Sequence, residues 1–251
     1  MVWGMSIPSS FGDYWPEGDF ESLDPRGKGG WRDRLNRYYQ SQSPEVQSAL
    51  YDYTQGGDIA SYPTYVTSKF TQELGVRPTQ FPELAPLNSI KDHEPPQCYI
   101  TAKSYKSLAS LISLNGLLAV DERMKAIIER LEPGIHQLFP IEIRMPRGKL
   151  YPKQYHLLVV GQDIDAFSPE KSEEGSYRSY GPEYSGYYTL IDSKKEISGL
   201  AFSKTAFGRA HLWRERALNG KLTCLSDQLE AEAVKAGLRL PKHYRMMEVS
   251  P

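Results

Sequence analysis

Apolar positions in the second half of the chain recur in a fixed order. Leu117, Leu118, Ala119 and Val120 form a short run, and Asp121 follows as an N-cap. Met124, Ile127, Ile128 and Leu131 then make one helical face before Pro133-Gly134 stops it, and a strand is predicted over 138–144. The same order returns near the C-terminus, with a run over 222–225, a cap at Ser226, and a helix carrying Leu229, Ala233 and Val234. Gly237 is the stop there, and a last strand is predicted over 244–249. Identity between the two copies is slight, so the common grammar of short αβ units accounts for the likeness as readily as an internal repeat does.

Between the copies lie β-like runs at 154–161, 187–191, 197–203 and 210–214, with no long helix among them. Ahead of the first copy, Ser104 precedes Tyr105, Leu108, Ala109 and Ile112 at helical spacing, which predicts a helix stopped by Asn115-Gly116. The fold class expected is α+β, a mainly antiparallel sheet flanked by helices.

The first half is punctuated differently. Ten of the 18 prolines fall in the first 96 residues, which predicts a loop-rich part. Within it, Ser43-Pro44-Glu45 supplies a cap, a pre-set first turn and an early acid, and Val46, Ala49, Leu50 and Tyr53 follow at i, i+3, i+4 and i+7, predicting a short helix. Weaker stripes run from Trp31 through Leu35 to Tyr39, and from Thr67 past Phe70 and Leu74 to a stop at Gly75. Pro78, Pro82, Pro86, Pro95 and Pro96 favour extended backbone, so a boundary is expected near residue 96. The expected division is a loop-rich part over 1–96 and an α+β domain over 97–251, two parts able to pack as one domain.

Composition narrows the function classes. Thirty basic against 31 acidic side chains leave a net charge of −1, which gives no general attraction to nucleic acid or anionic lipid. Cys98 and Cys224 are too few and too far apart for a disulfide framework or a zinc motif, which suits a reducing compartment. The first ten residues lack a signal-peptide pattern, and no run approaches the roughly 20 apolar residues of a membrane span, so the expected location is cytoplasmic.

Candidate chemistry is sparse. His93, His136, His156, His211 and His243 include no pair at i+3 or i+4, so no helical metal face is expected, and no metal or cofactor. Asp163 and Asp165 flank Ile164 just after an apolar strand. Two carboxylates so spaced could hold a cation or act as acid and base, but turn chemistry or an exposed acidic edge is the plainer reading. The segment 26–30 carries Lys28 among glycines without P-loop spacing, and no Gly-x-Ser-x-Gly elbow is present. A catalytic role is therefore not expected.

Tyrosine is the outlying residue type, 17 against 8 phenylalanines, with Tyr177, Tyr180, Tyr184, Tyr187 and Tyr188 close together among glycine and serine. Such mixtures give large amphipathic contact area at low entropic cost, which suits protein recognition or the stacking of sugars. The alternative is ordinary strand packing and loop cover.

The stretches "LLAVDERMKAIIERL", "FPIEI", "YHLLVV" leading into "DIDAFSPEKS", "ISGLAFSKTAFGRAHLWR" and "LSDQLEAEAVKAGLRL" stand in an order that resembles family eleven of the bacterial polymorphic-toxin immunity proteins, mainly over 100–249. In that family a strand end leads into an Asp-containing segment followed by Ser, which falls on Asp165 and on Ser168 or Ser172. The resemblance implies a protein that protects its producer by occupying a secreted toxin's domain, with no cofactor and no turnover.

Three readings follow. The first is a non-catalytic immunity protein whose partner is a cognate toxin domain, with Asp163, Asp165, Tyr177, Tyr180 and Tyr184 as the expected partner-binding residues. An acidic edge there would also mimic nucleic acid toward a basic nuclease. The alternatives are a hydrolase or nuclease using Asp163, Asp165 and a distant histidine, His156 or His211, and a sugar-binding module built on the tyrosines.

Overall fold

The computed structural model describes residues 1–6, 10–51, 61–71, 90–179, 188–190, 193–219 and 222–250. Two large sheets and one small one carry the chain. Nine of the thirteen described strand pairings run antiparallel, so the α+β, mainly antiparallel expectation holds.

The first large sheet is built from β2 (Gly18–Phe20), β3 (Cys98–Thr101), β4 (Leu111–Leu114), β5 (Leu117–Asp121), β6 (Gln137–Met145), β7 (Lys149–Leu150) and β8 (Tyr155–Val159). Their order across the sheet is β2-β3-β6-β8-β5-β4, with β7 beside β6. The second contains β1 (Val2–Met5), β9 (Asp163–Ile164), β12 (Ala201–Ser203), β13 (Leu212–Glu215), β15 (Thr223–Ser226) and β16 (His243–Val249), in the order β12-β16-β1-β15-β13-β9. The small sheet has the order β10-β11-β14, from β10 (Tyr177–Ser179), β11 (Tyr188–Leu190) and β14 (Leu218–Asn219).

The two sequence copies fold as the same unit. β5 leads through α4 (Glu122–Leu131) to β6, and β15 leads through α7 (Asp227–Lys235) to β16. In each case one antiparallel strand is inserted between the pair. β8 lies between β5 and β6, and β1 lies between β15 and β16, so each unit is a split β-α-β arrangement. Both helices start on the expected side chains: Met124 N–H donates to Asp121 Oδ1 at 3.0 Å, and Leu229 N–H to Ser226 Oγ at 3.1 Å. Gly237, at φ +64°, follows the second helix in the left-handed conformation that suits glycine. α4 and α7 pack on one another over a core shared by both units, with Met124 and Ile128 from one helix and Leu229 and Ala233 from the other. Val234, expected on the inner stripe, is 60% exposed.

The helix expected over Tyr105 to Ile112 is not formed. Residues 104–110 are irregular, and Leu111–Leu114 is strand β4, paired with β5 so that Leu114 opposes Leu117. Asn115 and Gly116, at φ +46° and +90°, form the two-residue turn between them. That turn needs positive φ at both positions, and Asn-Gly supplies it at little cost. The apolar residues read as a helical stripe are buried all the same, because the coil is held by Leu108 N–H donating to the Tyr151 hydroxyl and Ala109 N–H to Asp13 O. The run 197–203 also differs from a plain strand. Ser193 caps a short helix α5 (Lys194–Ser198), and only Ala201–Ser203 is extended.

Before the first unit, α1 (Trp31–Gln40) buries Trp31, Leu35 and Tyr39 as its stripe predicts. α2 (Pro44–Leu50) is capped by Ser43, but Val46 is 42% exposed and Ala49 is exposed, so Leu50 alone of the predicted stripe is buried, while Tyr53 lies outside the described residues. α3 (Tyr62–Thr71) begins earlier than Thr67. It buries Tyr62, Val66 and Phe70; the predicted Leu74 and Gly75 are outside the described residues. α6 (Lys204–Phe207) is a single turn after β12.

The two sides of residue 96 share sheets. β2 pairs with β3, and β1 sits in the middle of the second sheet. β6 and β7 form a hairpin whose tip is 146–148; Arg147 there has φ +64°, a conformation uncommon for a side chain of its kind.

Candidate functional site

Of the expected binding residues, Asp163 lies in β9 at one edge of the second sheet and Tyr177 in β10 of the small sheet. β9 runs parallel to β13, with Asp163 opposite Arg214. The segment is fastened further: Arg214 N–H donates to Gln162 O and Arg216 N–H to Ile164 O. The Glu215 carboxylate accepts Ala166 N–H and Ala217 N–H, both at 3.1 Å.

Arg214 is buried, and its Nε has no hydrogen-bond partner among the described residues. Burial pulls the guanidinium down to about 10 while Asp163 opposes that, so it stays a cation at neutral pH. Burial also raises the Asp163 carboxyl, with Arg214 and Arg216 pulling it back. Glu215 is pushed up to about 8 by burial, against the backbone N–H groups of Ala217, Ala166 and Phe167 that favour its charged form. The edge is thus organised around one buried cation and two carboxyl groups on neighbouring strands.

The two aspartates have different surroundings. Asp163 is half-buried against Arg214, whereas Asp165 is exposed. Tyr177 is half-buried too: its hydroxyl donates to Pro169 O at 3.1 Å, and its ring meets Phe167 edge to face at 5.1 Å. Tyr180 and Tyr184 lie outside the described residues. Ser172 Oγ donates to Ser168 O and accepts Ala201 N–H, both at 2.9 Å, and so ties the segment after β9 to β12.

The histidines named for catalysis have other neighbours. His211 Nδ1 is 2.8 Å from Ser226 Oγ, the hydroxyl that caps α7. His156 sits in β8 with Nδ1 3.4 Å from Glu122 Oε2 and without a hydrogen-bond partner for that atom among the described residues; burial lowers it and Glu122 opposes that. Among the described residues, neither histidine makes a hydrogen bond or ion pair to Asp163 or Asp165, and no three His, Cys, Asp or Glu side chains converge as a metal ion would require.

Two buried polar nodes were not foreseen. At the end of α4 the Glu132 carboxylate accepts His211 N–H at 2.7 Å, Leu212 N–H at 3.0 Å and Gln162 Nε2 at 2.6 Å. His136 completes it. Gly161 N–H donates to its Nδ1, so its other nitrogen carries the hydrogen given to Glu132 at 2.8 Å. Burial raises the Glu132 carboxyl, but the hydrogen bonds from His136, His211 N–H and Gln162 outweigh it and hold the group below its ordinary value. This node joins the first unit to β13 of the second sheet.

The other node anchors the N-terminal helices. Lys69 Nζ and Glu94 Oε1 are 2.6 Å apart, with side chains 4% and 0% exposed. Glu94 also accepts the Tyr62 hydroxyl at 3.1 Å and Lys91 N–H at 2.8 Å, and its backbone carbonyl accepts Trp31 Nε1. Arg34 grips Glu21 with two nitrogens and donates to the carbonyls of His93 and Pro95. Burial and Glu94 raise the Tyr62 phenol, which keeps it a donor. No spacing in the sequence marks these partners.

The chain matches the model of the Immunity protein family (Imm11) over residues 39–247, and it belongs to that family. The match begins well before the expected position near 100, so α2, α3 and the proline-rich stretch are part of the shared pattern. No curated protein matches the chain. Membership places it among the immunity proteins. No described helix is long and apolar enough to cross a membrane.

Proposed function

We propose that this chain is the immunity partner of one cognate toxin domain, which it binds and neutralises by occlusion, without turnover, in the cytoplasm. The family match over 39–247 carries the reading. The edge around β9 supports a contact there. Asp165 is open to a partner, Asp163 lies beside the buried cation Arg214, and Tyr177 leads into the tyrosine-rich stretch containing Tyr180 and Tyr184.

Co-expression of the toxin domain with and without this chain tests the reading. Rescue of growth together with a stable complex on size exclusion is the expected result. Toxicity undiminished by a folded chain, with no complex, would overturn it. For the contact, Asp165→Lys with Tyr180→Ala and Tyr184→Ala is expected to weaken binding about 30-fold or more, and unchanged affinity would remove this edge from the interface.

A further inference from the structure

The β6–β7 hairpin and the loop beside it form a cation-rich surface. Segments 101–107 and 142–153 hold six cations, Lys103, Lys106, Arg144, Arg147, Lys149 and Lys153, against the single carboxylate Glu142, in a chain whose net charge is −1. The segments are neighbours: Leu108 N–H donates to the Tyr151 hydroxyl, and Thr101 Oγ1 lies 3.4 Å from Arg144 O.

Three of these cations are committed within the fold. Arg144 pairs with Glu142 at 2.6 Å, Lys103 lies 3.8 Å from Glu17, and Lys153 lies 3.4 Å from Asp121. Lys106, Arg147 and Lys149 are exposed and make no ion pair among the described residues. Beside them Leu150 is 56% exposed, directly across the hairpin from Arg144. The base of the hairpin is fixed by buried Met145 and Tyr151 and by Tyr151 N–H donating to Ile143 O, so the tip is presented on a rigid support.

We propose that this tip, Arg147, Lys149 and Leu150 with Lys106 alongside, docks on an acidic surface of the toxin domain. The proposal rests on the immunity reading above and adds the charge of the partner. A phosphate backbone would engage the cations and leave Leu150 in water, whereas a protein interface buries an apolar side chain and rings it with charge. A bilayer would accept both, but a single apolar side chain gives too weak an anchor without a second signal.

The test is titration of the full chain with the catalytically inactivated toxin domain. The variants are Arg147→Glu with Lys149→Glu, and separately Leu150→Ser, all at exposed positions. The charge reversal is expected to raise Kd about 100-fold and slow association about tenfold at low salt, with the melting temperature unchanged; Leu150→Ser is expected to raise Kd about tenfold. Wild-type affinity in both variants overturns this surface while leaving the immunity reading intact. Absence of a complex with the wild-type chain overturns the immunity reading and this surface with it. If the wild-type chain instead binds a 20-base-pair duplex or phosphatidylserine vesicles and the reversal abolishes that, the patch serves a polyanion and the protein-docking proposal falls.

Discussion

The two split units share a plan and differ in how they are closed. In the first, the inserted strand β8 comes from the same stretch of chain as β5, α4 and β6, and the short β6–β7 hairpin leads straight into it. In the second, β1 from the far end of the chain fills the slot between β15 and β16. Trp3 donates to Asp227 across 224 positions, and the N-terminal ammonium pairs with Glu248. The first unit is therefore self-contained in sequence, and the second is completed by residues that lie outside the family match. The same local grammar builds both, but it does not reveal which strand completes each one.

The difference can be broken at several points. Removing residues 1–5 should have the largest effect, because two ladders of the second sheet vanish with them; the loss is on the order of the whole stability of a domain, about 5 kcal/mol or more. Hydrogen exchange should then show β15, β16 and α7 unprotected while β5, β6 and β8 stay protected, and equal loss in both units would mean that they do not differ in this way. Glu132→Ala uncouples the units differently. It strands the buried N–H groups of His211 and Leu212 and should cost about 4 kcal/mol in denaturant melts, with Glu132→Gln recovering part of it.

Gly4→Val should follow at about 3 kcal/mol. A Cβ at Gly4 would stand 2.7 Å from Met246 Sδ and 2.8 Å from Ile197 Cγ2, so the substitution pries β1 from its neighbours, and a full-stability variant would show that the slot can widen. The caps offer a matched pair: Ser226→Ala and Asp121→Ala should each cost about 1 kcal/mol, with Asp121 somewhat more because Lys153 also faces it.

The smallest effect is a pH dependence. Because Glu132 is held below its ordinary value in the folded state, its stabilisation is present above the unfolded value near 4.5 and is lost as pH falls through the lower folded value. Acid melts of the wild type should therefore lose stability more steeply below pH 4.5 than those of Glu132→Gln, and parallel curves would exclude this linkage.

What could be read from the sequence was local. Asp121 and Ser226 were legible as caps because the cap, the stripe and the stop all lie within about fifteen residues. The stretch from Tyr105 to Ile112 misled for the same reason: its apolar positions fall at helical spacing, yet Asn115-Gly116 turns a hairpin, and the burial is set by Tyr151, Asp13 and Arg239 elsewhere in the chain. The surroundings of the expected binding residues were less legible. Asp163 faces Arg214 only because a two-residue strand takes a parallel register, and the backbone donors to Glu132, His211 N–H and Leu212 N–H, sit 79 and 80 positions away from it. No periodicity encodes such pairs.

The insertion of β1 also sets an order in time. At about 5 to 20 residues per second, roughly 10 to 45 s separate the emergence of Trp3 from that of Asp227 during synthesis. For that interval Val2–Met5 waits as an unpaired strand for neighbours that do not yet exist, and the first unit has all its strands once Val159 has emerged. A newly made chain therefore gains its second sheet only once β15 and β16 have been made, and a product stopped before them has its first strand exposed to pairing with other chains.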